Sequence, residues 1–335
     1  MDKVGEEDST GMGKGLNIRS IARLGPLAGL GLVWLVFAFI APPSFMSFGN
    51  LETIFRQTTI VGTAALGMTM IIIAGGIDLS VGSTVAMGTV VIALALQSGA
   101  GPVTAALAGM GAGAVCGLAN GVLITRLKVV PFIVTLGTLL LVRGGAKGLA
   151  NEQKIDAPIT WLNELLAALP PERAWMLVPP GVWLLVLLAV GVGMVLWRSR
   201  FGRLVFAVGS NEEAARLSGI WVDGVKLAVY CLGGLFAGAA GLMQYSRLTV
   251  GDPTVAMGLE LDVIAAVVIG GGSLSGGEGS VLGSLVGALI MTTIRSGCSQ
   301  MGLSNWVQEI VTGSIIVLAV ALDRLRHRKL GSPGS

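Results

Sequence analysis

The chain has 335 residues, of which 53% are hydrophobic and 12% charged, with a net charge of +3 and a mean hydropathy of +0.81. An ordinary soluble domain carries about a quarter charged residues, so this composition excludes one, and 51 glycines without a period-three repeat exclude collagen. Cys116, Cys231 and Cys298 stand singly in or beside apolar segments, and the one histidine, His327, sits in a basic tail, which argues against a disulfide framework, a metal set or a hydrolytic constellation.

These totals describe an all-α polytopic membrane protein. Residues 1–23 form a polar tail of mixed charge without a leader pattern, so the first apolar run is expected to stay as a helix. Runs near the bilayer length predict ten spans, at 24–42, 53–74, 79–97, 103–125, 129–146, 176–197, 225–246, 259–270, 280–296 and 306–322. A second tail, 323–335, ends in GSPGS, which reads as flexible. An even number of spans puts both termini on one side. If that side is the cytoplasm, fifteen of the 22 Lys and Arg residues lie inside and seven outside, as the positive-inside rule requires.

Between the second and third spans stands IIIAGGIDLSVGS (71–83), a polar break at membrane depth. Irregular backbone survives there only when it is buried in protein or lines a wet cavity, so Gly75, Gly76, Asp78, Ser80 and Gly82 are candidates for a translocation or gating site. Asp78 has two readings: it caps a helix starting at Leu79, or its carboxylate holds the break shut by bonding backbone amides or a basic partner. In the fourth span Gly109, Gly113, Gly117 and Gly121 recur every four residues, and Gly279, Gly283 and Gly287 do so at the ninth. Such stripes read as close helix contacts within the bundle, and Asn120 beside the first as an interhelical hydrogen bond.

The longest outer segment, 147–174, carries Leu162, Leu165, Leu166 and Leu169 at helical spacing after Trp161, which predicts a short interfacial helix and a docking surface for a soluble partner. The inner segment 198–223 contains Ser210 followed three residues later by Glu213, which predicts a capping box and a helix starting at Asn211. Gly219 would end that helix, and Glu212 with Arg216 would form an i,i+4 pair. So short a helix is marginal alone in water and calls for a surface to press against. Further on, Asp252-Pro253 marks an outer turn, Glu260 and Asp262 open the eighth span, and the glycine-rich run 270–279 matches the 75–83 break in composition. Paired glycine-interrupted helices point to a transport site.

GGIDLSVGS (75–83), NEEAARLSGI (211–220), ELDVIAAVVIGGGSL (260–274) and SGGEGS (275–280) together resemble the monosaccharide permeases of bacterial ATP-binding-cassette importers, over essentially residues 25–322. The resemblance implies that 24–322 is a permease domain of about ten helices in the bacterial inner membrane, with both termini, segment 198–223 and the tails cytoplasmic and segment 147–174 periplasmic. It implies a second permease copy or paralogue, a cytoplasmic ATPase and a periplasmic sugar-binding protein as partners, besides membrane lipid, and no nucleic acid. The stretch 211–220 matches the family's coupling helix, assigning ATPase contact to Asn211, Glu212, Glu213, Ala214, Ala215, Arg216 and Gly219. The chain lacks the Walker A pattern, so no cofactor is expected in it, and ATP with magnesium belongs to the partner ATPase. Glu278 departs from the family, many members of which carry a basic or neutral residue there. A competing reading is an ion- or proton-coupled secondary transporter using Asp78, Glu260 or Asp262, which leaves helix 211–218 without a purpose. The sugar itself is not legible.

Overall fold

A computed structural model describes residues 11–330, with side-chain surroundings for 25–173 and 175–321. Among these residues the chain forms α1 (Gly11–Ile40), α2 (Phe48–Ile73), α3 (Val81–Gln97), α4 (Pro102–Leu127), α5 (Pro131–Leu149) and α6 (Pro180–Arg198). The segment after α6 contains α7 (Arg200–Ser210) and α8 (Glu212–Leu217), and α9 (Val222–Leu248), α10 (Leu259–Ile269), α11 (Val281–Gln300) and α12 (Asn305–Leu330) follow. Two short strands, β1 (Ile155–Asp156) and β2 (Val250–Gly251), pair antiparallel. Proline opens α4, α5 and α6, where a missing amide hydrogen costs nothing.

Helices stand at all ten expected spans. Six of them, α2, α4, α5, α6, α9 and α11, are long and apolar enough to cross a membrane. Residues 25–40, 81–97 and 305–321 are apolar but shorter, and α10 has 11 residues. The reason α10 is short lies in the segment before it. Gly251 packs against Thr89, Val90 and Ala93 of α3, whereas Ala256 reaches Gly82 near the start of α3. The chain therefore descends beside α3 by about 10 Å as irregular backbone before α10 begins.

Two four-helix units, α2–α5 and α9–α12, interlock. α9 packs on α3 and α4 as α2 packs on α10 and α11; α5 lies on α3 as α12 lies on α10; and α2 meets α9 at the centre. The two symmetric contacts are built differently. Between α4 and α9 a Cβ on Gly113 would collide with Gly234 and Gly238, and one on Gly117 with Tyr230 and Gly234 backbone, so the glycine stripe is the helix contact it promised. Between α2 and α11 a polar ladder runs instead: Ser296 Oγ donates to Asn50 Oδ1 at 2.6 Å, Thr58 and Thr292 share a hydrogen bond at 2.6 Å, and Thr69 Oγ1 donates to Ser284 Oγ at 2.7 Å. In the second stripe Gly283 and Gly287 face α10, while Gly279 precedes α11 and faces Ile73.

Two local expectations are overturned. The segment after α5 contains no interfacial α-helix: it forms β1 and short 3-10 helices at Trp161–Glu164 and Pro171–Met176. Leu162 and Leu166 are buried in the bundle. The amide of Leu166 donates to Ser246 Oγ and that of Leu169 to Glu52 Oε1, so distant side chains take the bonds that a helix would have made locally. The capping box at Ser210 is also absent. Ser210 is the last residue of α7, its backbone already helical, and the cap falls one residue later, where Asn211 (φ −161, ψ 103) accepts from the Ala214 amide at 2.9 Å. Of the two expected tails, residues 11–23 and 323–330 continue α1 and α12, while residues 1–10 and the GSPGS end lie outside the described residues.

Candidate functional site

α8 is a six-residue helix braced onto the start of α9. Lys226 Nζ meets Glu212 Oε2 at 2.6 Å, and Arg216 meets Glu212 at 3.3 Å and Asp223 at 3.1 Å. Partial burial works to raise the Glu212 carboxyl, and the hydrogen bonds and charges of Lys226 and then Arg216 outweigh it, holding the group below its ordinary 4.5. Gly219, at φ +81, ends the helix as expected. Ala215 is buried, whereas Asn211, Glu213 and Ala214 are exposed and Leu217 is 89% exposed, so one face of α8 is fastened and the other open.

The 74–80 break abuts the end of α7, the helix before α8. Gly209, near the end of α7, is in backbone contact with Ile73 and Gly277, and the Gly277 amide donates to Ile73 O at 2.9 Å. Gly75, at φ +79, and Gly276, at φ +86, close the same knot. The two glycine runs matched by composition thus meet in space, joined by a glycine that sequence reading passed over.

Asp78 itself is 2% exposed. Its Oδ1 accepts from the Ser80 amide at 2.8 Å and the Ser80 hydroxyl at 2.6 Å, and Asn120 on α4 donates to Ser80 Oγ at 2.9 Å and to both Asp78 oxygens at 3.4 Å. The helix that follows begins at Val81, not Leu79, and has Ser80 at its N-cap. The carboxylate binds the break itself, as in the second reading, through one amide, two neutral side chains and no basic partner among the described residues. Ile77 O accepts from Tyr230 of α9 at 3.2 Å and Thr135 of α5 at 3.3 Å, and Gly76 lies against the Tyr230 hydroxyl. The break is filled with protein.

A matching break follows α9. Asp252 Oδ1 accepts from the Thr254 amide at 2.8 Å and the Thr254 hydroxyl at 2.6 Å. Here the neighbours are charged: Lys154 stands 3.4 Å from Asp252 Oδ2, and Arg143 of α5 donates to Pro253 O at 3.0 Å and Val255 O at 2.6 Å. Gly82 brings the two breaks together, since a Cβ there would overlap Ala256 O and Glu260 Oε2.

Ala256 and Met257 also border a polar cavity of about 380 Å³ between α2, α9, α10, α11 and α12. Gln57, Gln244, Arg247, Asp262, Arg295 and Gln308 line it. No local pattern announces these residues, which come from five helices; single polar residues in apolar runs, such as Gln244 and Arg295, were the available signal. A cavity of about 480 Å³ between α1, α2 and α11 is lined by Leu27, Trp34, Phe55 and similar groups and offers a polar solute little to bond.

Comparison with known proteins places this geometry. Residues 50–320 match the family described as branched-chain amino acid transport system / permease component. The chain is 41% identical to the ribose import permease protein RbsC of Bacillus subtilis (strain 168), over 90% of this chain and 92% of that protein. It is 36% identical to the galactose/methyl galactoside import permease protein MglC of Escherichia coli (strain K12), over 89% and 93%, and 35% identical to the L-arabinose ABC transporter permease protein AraH of Azospirillum brasilense, over 90% and 88%. No solved structure matches the chain. A multi-pass helical bundle with two interrupted segments and a polar cavity, matched by that family over residues 50–320, belongs to the branched-chain amino acid transport system / permease component family.

Proposed function

We propose that this chain is the permease subunit of a bacterial importer that moves a monosaccharide or similar small polyol across the inner membrane, with both termini cytoplasmic. The relatives named for ribose, galactose and arabinose support the substrate class. A second permease, identical or paralogous, completes the path; a soluble sugar-binding protein delivers the solute to the side carrying segment 147–174; and a cytoplasmic ATPase supplies the ATP and magnesium chemistry. Neutral amides in the cavity suit hydroxyl groups, and the ion-coupled alternative draws no support from Asp78, whose carboxylate is occupied by Ser80 and Asn120.

The observation that carries the coupling role is the α8 brace with its backbone link to the break. Force applied to the open face of α8 passes through Glu212–Lys226 and Arg216–Asp223 to α9, and through Gly209 to Ile73, Gly75 and Gly277. Closure of the ATPase pulls on α8, the inner break loosens, and solute leaves toward the cytoplasm. Ala214→Pro removes the amide that Asn211 caps, and should leave insertion intact while abolishing stimulation of ATP hydrolysis by loaded binding protein. Full stimulation in that variant would remove the coupling assignment. For topology, a cysteine at Glu164 in a background without the native cysteines should react with an impermeant thiol reagent from outside, and one at Glu212 only after the membrane is opened; the reverse pattern inverts the orientation.

A further inference from the structure

Within the cavity between α2, α9, α10, α11 and α12, one group has chemistry left unfinished. Asp262 lines the cavity with a side chain 2% exposed. Its Oδ2 accepts from Arg295 at 2.7 Å, while Oδ1 has no hydrogen-bond partner among the described residues. Buried polar atoms nearly always find partners, and a carboxylate oxygen without one is more costly than a neutral atom. Arg295 is half open, at 43%, so donors remain on the cavity side of the pair. Arg247 lines the same space, and its side chain makes no hydrogen bond or ion pair among the described residues. Gln57, Gln244 and Gln308 surround these charges with amides that both donate and accept.

This donor set selects a class of solute. Oδ1 of Asp262 asks for a hydrogen-bond donor, which an ionised carboxylate group or a fully ionised phosphate ester group does not supply. Two guanidinium groups against one carboxylate repel a cation. A neutral molecule with several hydroxyls satisfies every group, because each hydroxyl both donates and accepts. We propose that Asp262 and Arg295 form a sugar clamp in the permease, Asp262 Oδ1 accepting one hydroxyl and a free Arg295 N–H donating to a neighbouring hydroxyl oxygen. The clamp rests on the import function proposed above and names its solute site, so that the permease, as well as the soluble binding protein, contacts the sugar.

The test uses the full chain in membrane vesicles, with Cys116, Cys231 and Cys298 replaced by alanine and Ser299→Cys as a reporter, since Ser299 is exposed and lines the cavity. Its rate of reaction with an uncharged maleimide is followed with D-ribose, D-galactose or L-arabinose, and with sucrose at equal osmolarity as a size control. At least one monosaccharide should slow the reaction where sucrose does not. The concentration for half-protection should rise about tenfold in Asp262→Asn, the weight of one charged hydrogen bond. Gln244→Leu, which leaves the ion pair intact, should raise it by a smaller factor of about three. Absence of protection by all three sugars overturns the clamp, as does an unchanged half-protection concentration in Gln244→Leu and in an Asp262→Asn protein that inserts normally. A purely structural ion pair would change the reporter's rate equally with and without sugar, and that outcome also overturns it. ATP-driven uptake by the reconstituted complex, measured in parallel, separates the two proposals: uptake without protection removes the clamp and leaves the import function, while protection without uptake does the reverse.

Discussion

Asp78-Leu79-Ser80-Val81 and Asp252-Pro253-Thr254-Val255 are the same turn used twice. In each, one carboxylate oxygen accepts from the amide and the hydroxyl two residues on, at 2.8 and 2.6 Å. Each follows the central helix of its unit, α2 or α9. They differ in what surrounds them. The first is closed by neutral donors, Asn120, Tyr230 and Thr135, in a place sealed from water. The second is held by Arg143 and by Lys154, which is 68% exposed. Charge is affordable where water reaches it and expensive where it does not, so the sealed break uses neutral hydrogen bonds around a single carboxylate. The second break carries strain as well, with Thr249 at φ +62 and Ala256 at φ +60, conformations that side chains seldom adopt.

The contrast can be broken most severely at the point where the breaks touch. Gly82→Ala forces a methyl group onto Ala256 O and Glu260, and should cost about 2–3 kcal/mol with a matching loss of thermal stability in detergent. A Tm equal to that of the parent would mean that the two breaks are not packed as described. Next in size, Asp78→Ala strands the Ser80 and Asn120 donors in a dry site, for about 1–3 kcal/mol, whereas Asp252→Ala has water nearby and should cost less. Equal losses in parallel melts would erase the sealed-versus-open distinction. Asp78→Asn keeps the shape and loses the charge; it should insert normally and transport poorly, and wild-type uptake per inserted molecule would reduce Asp78 to a local turn residue. Lys154→Gln, at an exposed ion pair, should shift stability by less than about 1 kcal/mol while changing transport rate.

The smallest effect concerns α8. Because the folded Glu212 carboxyl is held below 4.5, the brace contributes stability that is present above the ordinary carboxyl value and is lost only as pH falls through the lower folded value. ATPase coupling should therefore be unaffected by Glu212 between pH 7 and 5, and Lys226→Met should move the onset of acid uncoupling upward. An unchanged onset would show that Lys226 does not set the brace.

Much of this architecture was legible because of the solvent it occupies. In hydrocarbon each backbone amide must be satisfied within its own segment, so apolar length, glycine spacing and polar interruptions translate directly into helices and breaks. That is why the helix at each expected span, the Gly113 and Gly117 contact and the Gly219 terminus follow from local sequence. Where water or other chain segments compete for the backbone, the local rules lost. Leucines spaced for a helix at 162–169 became packed turns because Ser246 and Glu52 took their amides, and Ser210 failed as a cap because α7 had already enclosed it. Asp78 finds Asn120 at 42 residues' separation, and Ile77 finds Tyr230 at 153. Local sequence carried the positions of the helices and of the two breaks; the partners of each break, the meeting of Gly209 with Ile73, and a cavity assembled from five helices came from tertiary packing, because those contacts join residues with no local pattern between them.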